Sequence, residues 1–108
     1  MKKPHGNSKL CKKKQHLYVI LDKNGKVMEY GISGQKLNKD GTSPRGKHKL
    51  RTKPPYKDNP EAYTVRVLKT DINGRAEALK IEKDHVTTYA KNNNNKKPRH
   101  QKRPNPDI

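Results

Sequence analysis

The sequence predicts an α+β fold in which a small three-stranded antiparallel sheet carries a packed helix. Three observations support this: two apolar runs flank an Asn-Gly pair, a third run alternates in polarity, and a helix-like pattern closes the apolar part of the chain. A chain of 108 residues has room for one small domain. Strands joined by a tight turn pair antiparallel, and a following helix covers them.

The first two strands are predicted at residues 16–21 and 27–32. The segment between them contains Asn24-Gly25, and both residue types tolerate the positive φ that a hairpin turn requires. Residues 35–60 are rich in Gly, Pro, Asn, Asp and Lys, so we expect a loop there with one short helix around residues 45–50. The central feature of the sheet is therefore a β-hairpin.

The third strand and the helix follow from two different periodicities. Residues 63–68 alternate and are rich in β-branched side chains, which predicts a strand. Residues 75–90 repeat their less polar positions at three- and four-residue steps, which predicts a helix. Four consecutive asparagines at 92–95 end it. The helix stripe consists of Ala78, Leu79, Glu82, Val86 and Tyr89.

Charge divides the chain into three parts. We predict a basic, flexible N-terminal segment over residues 1–15, a core over 16–91 and a basic, Pro/Asn-rich tail over 92–108, so that both termini are flexible. The formal net charge is +17, from 27 Lys+Arg against 10 Asp+Glu. Such a field favours a polyanion, and nucleic acid is the usual one. Neither arm has the bulky apolar face of a membrane-surface helix, so we expect no membrane partner.

The single cysteine, Cys11, excludes an internal disulfide and a cysteine-based zinc site. No stretch is apolar enough for a signal peptide or a membrane span. The notable residue is Glu82, since a carboxylate in an apolar stripe is costly to bury unpaired. It either reaches water or a lysine at the edge of the stripe, the commoner outcome for a helix, or it binds a divalent cation.

Several of these residues together resemble the GIY-YIG nuclease domain, which has a tyrosine on each of two strands, then an arginine and a glutamate. The matching positions are Tyr18, Tyr30-Gly31-Ile32, Arg45 and Glu82. More narrowly, YGISGQKLNKDGTSPR, NGRAEALKIEK and KPRHQKRPNP are similar to the GIY-YIG (URI-type) toxin domains at the C-terminal ends of bacterial polymorphic toxins, including Rhs-type proteins.

The chain departs from the family pattern at both motifs. His16-Leu17-Tyr18 stands where the family has Gly-Ile-Tyr, so only the tyrosine carries over. In the second motif the family tyrosine lies two residues before the glycine, and Glu29 holds that place here. A shift of one residue sends a strand side chain to the opposite face of the sheet, which leaves the orientation of Tyr30 open.

The later motifs also differ. In the tail, Gln101 with His100 beside it replaces the family's asparagine, and Arg51 is a second candidate for the arginine at Arg45. The resemblance implies hydrolysis of a phosphodiester with one metal ion. Glu82 would bind Mg²⁺, or another divalent cation, and Arg45 would hold the scissile phosphate.

The resemblance also gives roles to the remaining residues. Tyr18, with Tyr30 as the alternative base, would accept a proton from the attacking water, and Gln101 or His100 would orient the water or a phosphate. A phenol pKa near 10 requires neighbouring cations for this role. Contacts to nucleic acid are expected from Lys36, Arg45, Lys47, His48, Arg51, His100 and Arg103.

The hypothesis is thus a metal-dependent endonuclease, with DNA favoured over RNA, acting as a monomeric antibacterial toxin effector. The resemblance further implies delivery within a larger bacterial toxin into the target-cell cytoplasm, and an acidic immunity protein as partner. The alternative is a non-catalytic basic RNA-binding or ribosomal-type protein. In that case Tyr18 and Tyr30 are hairpin packing residues, and Arg45 is one basic residue among many.

Overall fold

A computed structural model describes residues 13–107, which form one antiparallel sheet and two helices. The predicted α+β fold with a three-stranded antiparallel sheet is confirmed. In chain order the elements are β1 (Lys14–Asp22), β2 (Val27–Ser33), α1 (Pro44–Thr52), the 3₁₀ turns Tyr56–Asp58 and Pro60–Ala62, β3 (Tyr63–Asn73) and α2 (Arg75–Lys91).

The hairpin is the one that the Asn-Gly pair predicts. Gly25 has a φ of +81°, and the Asn24 backbone N–H donates to the Asp22 carboxylate at 2.8 Å. Tyr18 lies opposite Gly31 in the β1–β2 register. The predicted turn chemistry therefore sets which residues of the two strands face each other.

The sheet has the order β2-β1-β3, so β1 is the central strand. Both β1 and β3 are longer than predicted, because Lys14 at the start of β1 pairs with Asn73 at the end of β3. The register shifts between Gln15 and Tyr18 let the two strands stay paired beyond the predicted end at residue 68. Asp71, with a φ of +56°, lies in this extension.

The predicted short helix is α1, which begins and ends slightly outside residues 45–50. Ser43 caps it, since its hydroxyl accepts a hydrogen bond from the Gly46 backbone N–H at 3.1 Å. Pro44 occupies the first helical position, where its missing N–H costs nothing. Gly46 and Leu50 form its buried side.

The two helices cover opposite faces of the sheet. Adjacent β1 residues Tyr18 and Leu17 point to opposite faces, and each belongs to a different apolar cluster. On the α1 side the buried cluster is Tyr18, Ile20, Met28, Leu50 and Tyr56. On the α2 side it is Leu17, Ile32, Ile72 and Ala78.

The prediction of a flexible N-terminal segment concerns residues 1–15, of which 1–12, including Cys11, lie outside the described residues. The predicted flexibility of the tail stays a prediction, and the described part of the tail contacts the core at defined points. Pro98 and Gln101 are buried, and the His100 backbone N–H donates to the Met28 carbonyl at 2.9 Å. Two buried residues thus place an otherwise polar segment against β2. Within residues 13–107, no helix has the length and apolarity needed to cross a bilayer.

Candidate functional site

Tyr18 lies at the centre of the sheet and is 1% exposed. Its ring fills a slot between two glycines. A Cβ atom on Gly31 of β2 would lie 2.3 Å from the Tyr18 Cζ and Oη, and one on Gly46 of α1 would lie 3.2 Å from the Tyr18 Cδ2. A side chain at Gly31 would displace the tyrosine, whereas one at Gly46 would overlap Val65 first and crowd the Tyr18 ring. Gly31 therefore fixes where the phenol lies, and Gly46 allows α1 to approach the ring.

Lys49 and Glu29 adjoin this phenol. The Lys49 Nζ lies 5.9 Å from the centroid of the Tyr18 ring and 3.4 Å from the Glu29 Oε2. The other carboxylate oxygen of Glu29 accepts a hydrogen bond from the Tyr56 hydroxyl at 2.9 Å. We refer to Tyr18, Glu29, Lys49 and Tyr56 as the Tyr18 cluster.

The electrostatics of the cluster keep its phenols protonated. Burial raises the pKa of Tyr18, the charges of Lys49 and Arg45 oppose this shift, and Glu29 adds to it. The pKa of Tyr56 is also raised, by burial and by its bond to Glu29. Burial disfavours the charge of Lys49, but Tyr18 and Glu29 outweigh it and hold the pKa of Lys49 above its ordinary value. The cluster therefore presents an ammonium beside a neutral phenol.

Glu82 is in the buried stripe of α2 predicted from the sequence, together with Ala78, Val86 and Ala90. It is 7% exposed. Burial raises the pKa of Glu82 from 4.5 to about 7, Arg75 and Lys49 oppose this, and Glu29 adds to it. Glu82 thus lies within the electrostatic reach of the Tyr18 cluster.

The charge of Glu82 is not balanced by an ion pair in the described chain. The two ion pairs within residues 13–107 join Lys47 to Asp40 and Lys49 to Glu29. A desolvated carboxylate with neighbouring positive charge but no counter-ion in contact is an acceptor for a further cation. No group of three or more potential ligands from His, Cys, Asp and Glu occurs in the described residues. The arrangement suits a cation that takes few protein ligands and keeps its waters, as Mg²⁺ does.

Arg45 is exposed in the first turn of α1. Its charge is among those that act on the Tyr18 hydroxyl. An exposed guanidinium at a helix N-terminus is well placed for an anion, because the helix dipole also favours negative charge there. The alternative residue, Arg51, lies exposed in the last turn of the same helix. Arg45 is therefore a predicted catalytic residue that the structure places near Tyr18.

Tyr30 lies on the opposite side of the sheet from Tyr18. Its ring centroid is 5.5 Å from that of His85 on α2, and it packs against the cluster that contains Leu17 and Ile32. The alternation of side chains along β2 gives its place beside Tyr18 to Glu29. The structure thus does not bring the two tyrosines of the predicted site together.

Gln101 holds the tail to β2 through its whole side-chain amide. Its Oε1 accepts from the Tyr30 backbone N–H at 2.6 Å, and its Nε2 donates to the carbonyls of Tyr30 and Arg103 at 3.0 and 2.6 Å. The neighbouring His100 turns the other way, with its ring centroid 5.7 Å from that of Tyr56. His100 is therefore the tail residue that approaches the Tyr18 cluster.

The remaining predicted nucleic-acid contacts lie on the surface. Lys47 pairs with Asp40 at 3.8 Å, and the side chains of Lys36, His48, Arg51 and Arg103 are exposed. Three of these residues are on α1, so this helix forms a basic surface next to Arg45. The predicted contacts are compatible with a phosphate backbone lying along α1.

Three residues of the Tyr18 cluster, namely Glu29, Lys49 and Tyr56, had no role predicted from the sequence. Two signals could have found them. Glu29 stands at the position of the family's second tyrosine, and Lys49 follows Arg45 by four residues, which places both on one side of a helix. Tyr56 carries no such signal, since it approaches Glu29 from a loop 27 residues away.

Comparison with known proteins gives one family. A family model described as URI fold toxin 2 matches residues 8–100, which is most of the chain. Searches of curated proteins and of solved structures found no match.

Proposed function

Because the chain belongs to the URI fold toxin 2 family, we propose that it is a metal-dependent nuclease domain that hydrolyses phosphodiester bonds, with DNA as the favoured substrate. The observation that supports this most is Glu82. A toxin domain that buries an unbalanced carboxylate within electrostatic reach of the Lys49 ammonium incurs a cost in stability that a metal site would explain.

Glu82 would hold the cation. Its carboxylate is the ligand type that Mg²⁺ prefers, and no ion pair in the described chain competes for it. Bound Mg²⁺ supplies positive charge that neutralises the phosphate and stabilises the departing oxygen. Arg75 and Lys49 favour the ionised carboxylate but burial outweighs them, so a bound cation would complete the ionisation of Glu82 near neutral pH.

Arg45 would bind the scissile phosphate. Its forked guanidinium matches two phosphate oxygens, and its charge meets the negative charge that develops in the transition state. Because Arg45 also acts on Tyr18, a phosphate held there lies close to the phenol. The basic surface of α1 would guide the rest of the strand.

Tyr18 would take a proton from the attacking water. Burial and Glu29 oppose its ionisation, while Lys49 and Arg45 favour it. Additional positive charge beside Lys49 acts in the favourable direction, so Tyr18 would become basic in the loaded site and not in the empty one. Lys49 is then a positioning residue that acts through Tyr18, and Glu29 and Tyr56 hold its ammonium in place.

As a member of a toxin family, the domain would be delivered as part of a larger bacterial toxin and act in the cytoplasm of the target cell. Its net charge of +17 makes an acidic immunity protein the partner that would neutralise it in the producing cell. Such a protein would cover the face that carries Arg45 and α1.

A cleavage assay tests the proposal. Purified protein is incubated with plasmid DNA and with total RNA, in Mg²⁺ and in EDTA, beside Glu82→Gln and Tyr18→Phe. The control Asp84→Asn removes an exposed carboxylate from the same helix. We expect Mg²⁺-dependent cleavage by the wild type and the control, and at least a hundredfold loss in the two site variants.

Salt-sensitive binding without cleavage in any condition would contradict the proposal and favour the RNA-binding alternative. Cleavage that persists in EDTA and in Glu82→Gln would contradict the role of the metal. Because Tyr18→Phe keeps the ring between Gly31 and Gly46, a loss of activity in this variant reports on the hydroxyl and not on packing.

A further inference from the structure

A cleft separate from the Tyr18 cluster lies at the start of β1. It has a volume of about 420 Å³ and is formed by the start of β1, the loop after β2 and the end of β3. Gln15, Gly34 and Leu37 line it, Lys13 and Lys36 lie exposed at its rim, and Asp71 lies on the β3 side. The nuclease mechanism proposed above uses none of these residues.

Gln15 is the unusual residue of this cleft. It is 2% exposed, and its Oε1 has no hydrogen-bond partner in the part of the chain that the structure describes. Its Nε2 donates to the Lys13 carbonyl at 3.0 Å. This bond fixes which end of the amide is the acceptor, because a reversed amide would place two oxygens together. A buried acceptor without a donor is costly, and a ligand that supplies the donor would offset that cost.

Gly34 permits this placement of the amide. A Cβ atom there would lie 2.8 Å from the Gln15 Nε2, so a larger residue would push the side chain away from the strand. Leu37 adds an apolar wall to the same cleft. The cleft thus combines an acceptor in its lining with an apolar surface.

Charge at the rim defines the rest of the ligand. Lys13 and Lys36 are exposed and belong to neither of the ion pairs within residues 13–107. Lys14, in contrast, donates to the Asn73 side chain. The Asp71 carboxylate is a second acceptor. The ligand that fits carries a hydrogen-bond donor on a flat, partly apolar body and a negative charge outside, which describes a nucleotide.

We propose that this cleft, the Gln15 cleft, binds a base of the substrate strand and that Gln15 Oε1 accepts a hydrogen bond from the exocyclic amino group of adenine or cytosine. The inference rests on the proposed nuclease function. It adds a base preference to an enzyme whose other contacts are to phosphates.

The position of the cleft relates the base to the cleavage site. His16 lines the cleft, its Nε2 lies 2.7 Å from the Ser43 Oγ, and its ring centroid is 6.1 Å from that of Tyr18. His16 therefore adjoins both the Gln15 cleft and Tyr18, whereas the Gln15 and Tyr18 side chains point to opposite faces of β1. The bound base would belong to the same substrate strand as the scissile phosphate.

Binding to short DNA strands in EDTA, where no cleavage occurs, tests this. Fluorescence anisotropy is measured for oligothymidine strands that carry one central adenine, cytosine, thymine or purine, the last being adenine without its amino group. We expect adenine and cytosine strands to bind about fivefold more tightly than the purine strand, the effect of one neutral hydrogen bond to a buried acceptor, while the thymine strand shows whether a ring N–H can replace the amino group. In Gln15→Met, which keeps the volume and removes the acceptor, the preference should disappear.

Equal affinity of the wild type for the adenine and purine strands would overturn the proposal. This comparison uses the wild-type protein alone, so it does not depend on whether Gln15→Met folds. RNA strands distinguish the other possible donor. If uridine and adenosine RNA bind alike and both exceed DNA, the donor is the ribose hydroxyl and the base proposal is wrong. Cleavage without any base preference would support the nuclease function and contradict base binding in the Gln15 cleft. A base preference without cleavage in any condition would support base binding and contradict the nuclease function.

Discussion

The Glu82 carboxylate lies in a stripe of α2 whose other buried members are Ala78, Val86 and Ala90. An apolar or neutral residue would fit this stripe at lower cost, since burial, partly opposed by Arg75 and Lys49, raises the pKa of Glu82 to about 7. At this residue the requirements of the proposed cation site and those of stability oppose each other.

We expect Glu82→Gln to stabilise the protein at pH 8. The pKa of Glu82 is higher in the folded state, so the unfolded chain binds fewer protons between pH 4.5 and about 7, and the free energy of unfolding falls as the pH rises through that window. Removing the charge should raise the free energy of unfolding by about 3 kcal/mol at pH 8 and leave it unchanged at pH 4. Urea unfolding at both pH values measures this, with Asp84→Asn as the exposed control. A variant less stable than the wild type at pH 8 would show that Glu82 already has a stabilising partner.

The contact between Gly31 and Tyr18 predicts a second effect at the residue scale. A methyl group at Gly31 would overlap the end of the Tyr18 ring, so Gly31→Ala should destabilise the protein by about 3 kcal/mol through overpacking. In a Tyr18→Leu background the atoms that overlap are absent, and the same substitution should cost below about 1 kcal/mol. The four proteins are compared by urea unfolding. Equal costs in the two backgrounds would mean that Gly31 is needed for a reason other than the phenol.

The sequence predicts some residues of the candidate site and not others. Glu82 was predictable, because its helix periodicity is local and strong. The partner of Tyr18 stayed open, because a one-residue displacement in the second motif leaves Glu29 and Tyr30 as alternatives, and the strand register puts Glu29 beside it. Motif similarity without strand register therefore did not decide which face of β2 each side chain occupies.

At the scale of elements, the tail acts as a strap across β2. Gln101 takes the place of a neighbouring strand by bonding both the N–H and the carbonyl of Tyr30, and His100 adds a backbone bond to Met28. The strap also brings the His100 ring to Tyr56. The tail thus contributes to the candidate site through its position on β2.

Gln101→Ala should therefore release the tail. The substitution leaves the Tyr30 N–H without its acceptor and should cost about 1–3 kcal/mol in the free energy of unfolding. Amide hydrogen exchange at Tyr30 and His100 should become faster, while exchange within α2 stays as in the wild type. Lys102→Ala, an exposed neighbour, serves as the control. Unchanged protection at both amides would show that Pro98 and the backbone bond hold the tail without the glutamine.

The elements themselves were predictable wherever the signal is local. The Asn-Gly pair predicts the β1–β2 hairpin that the structure has. The cap residue Ser43 and the first helical residue Pro44 start α1 close to the predicted residue. The extension of β3 and the packing of the tail were not predictable, because both depend on partners far away in the sequence, Lys14 in one case and Tyr30 in the other. Composition alone treats such polar segments as loops.

At the scale of the whole molecule, the net charge of +17 predicts strongly salt-dependent binding. If the domain contacts about six phosphates, its affinity for duplex DNA should fall roughly a thousandfold between 50 and 200 mM salt. Arg51→Ala on the basic surface of α1 should reduce the slope of log K against log salt by about one. Thr88→Ala, on the exposed side of α2, is the control that should leave the slope unchanged. A slope near zero would exclude the phosphate backbone as the principal contact.

The strap on β2 has a consequence for how copies of the chain meet one another. The outer edge of β2 is occupied by the tail, and β3, the other outer strand, carries Arg66, Lys69 and the kinked residue Asp71 along its exposed length. A second copy approaching either edge meets a covered backbone or like charges, which are the means by which natural sheets avoid pairing with their neighbours. The domain is therefore protected against strand-to-strand aggregation at high local concentration.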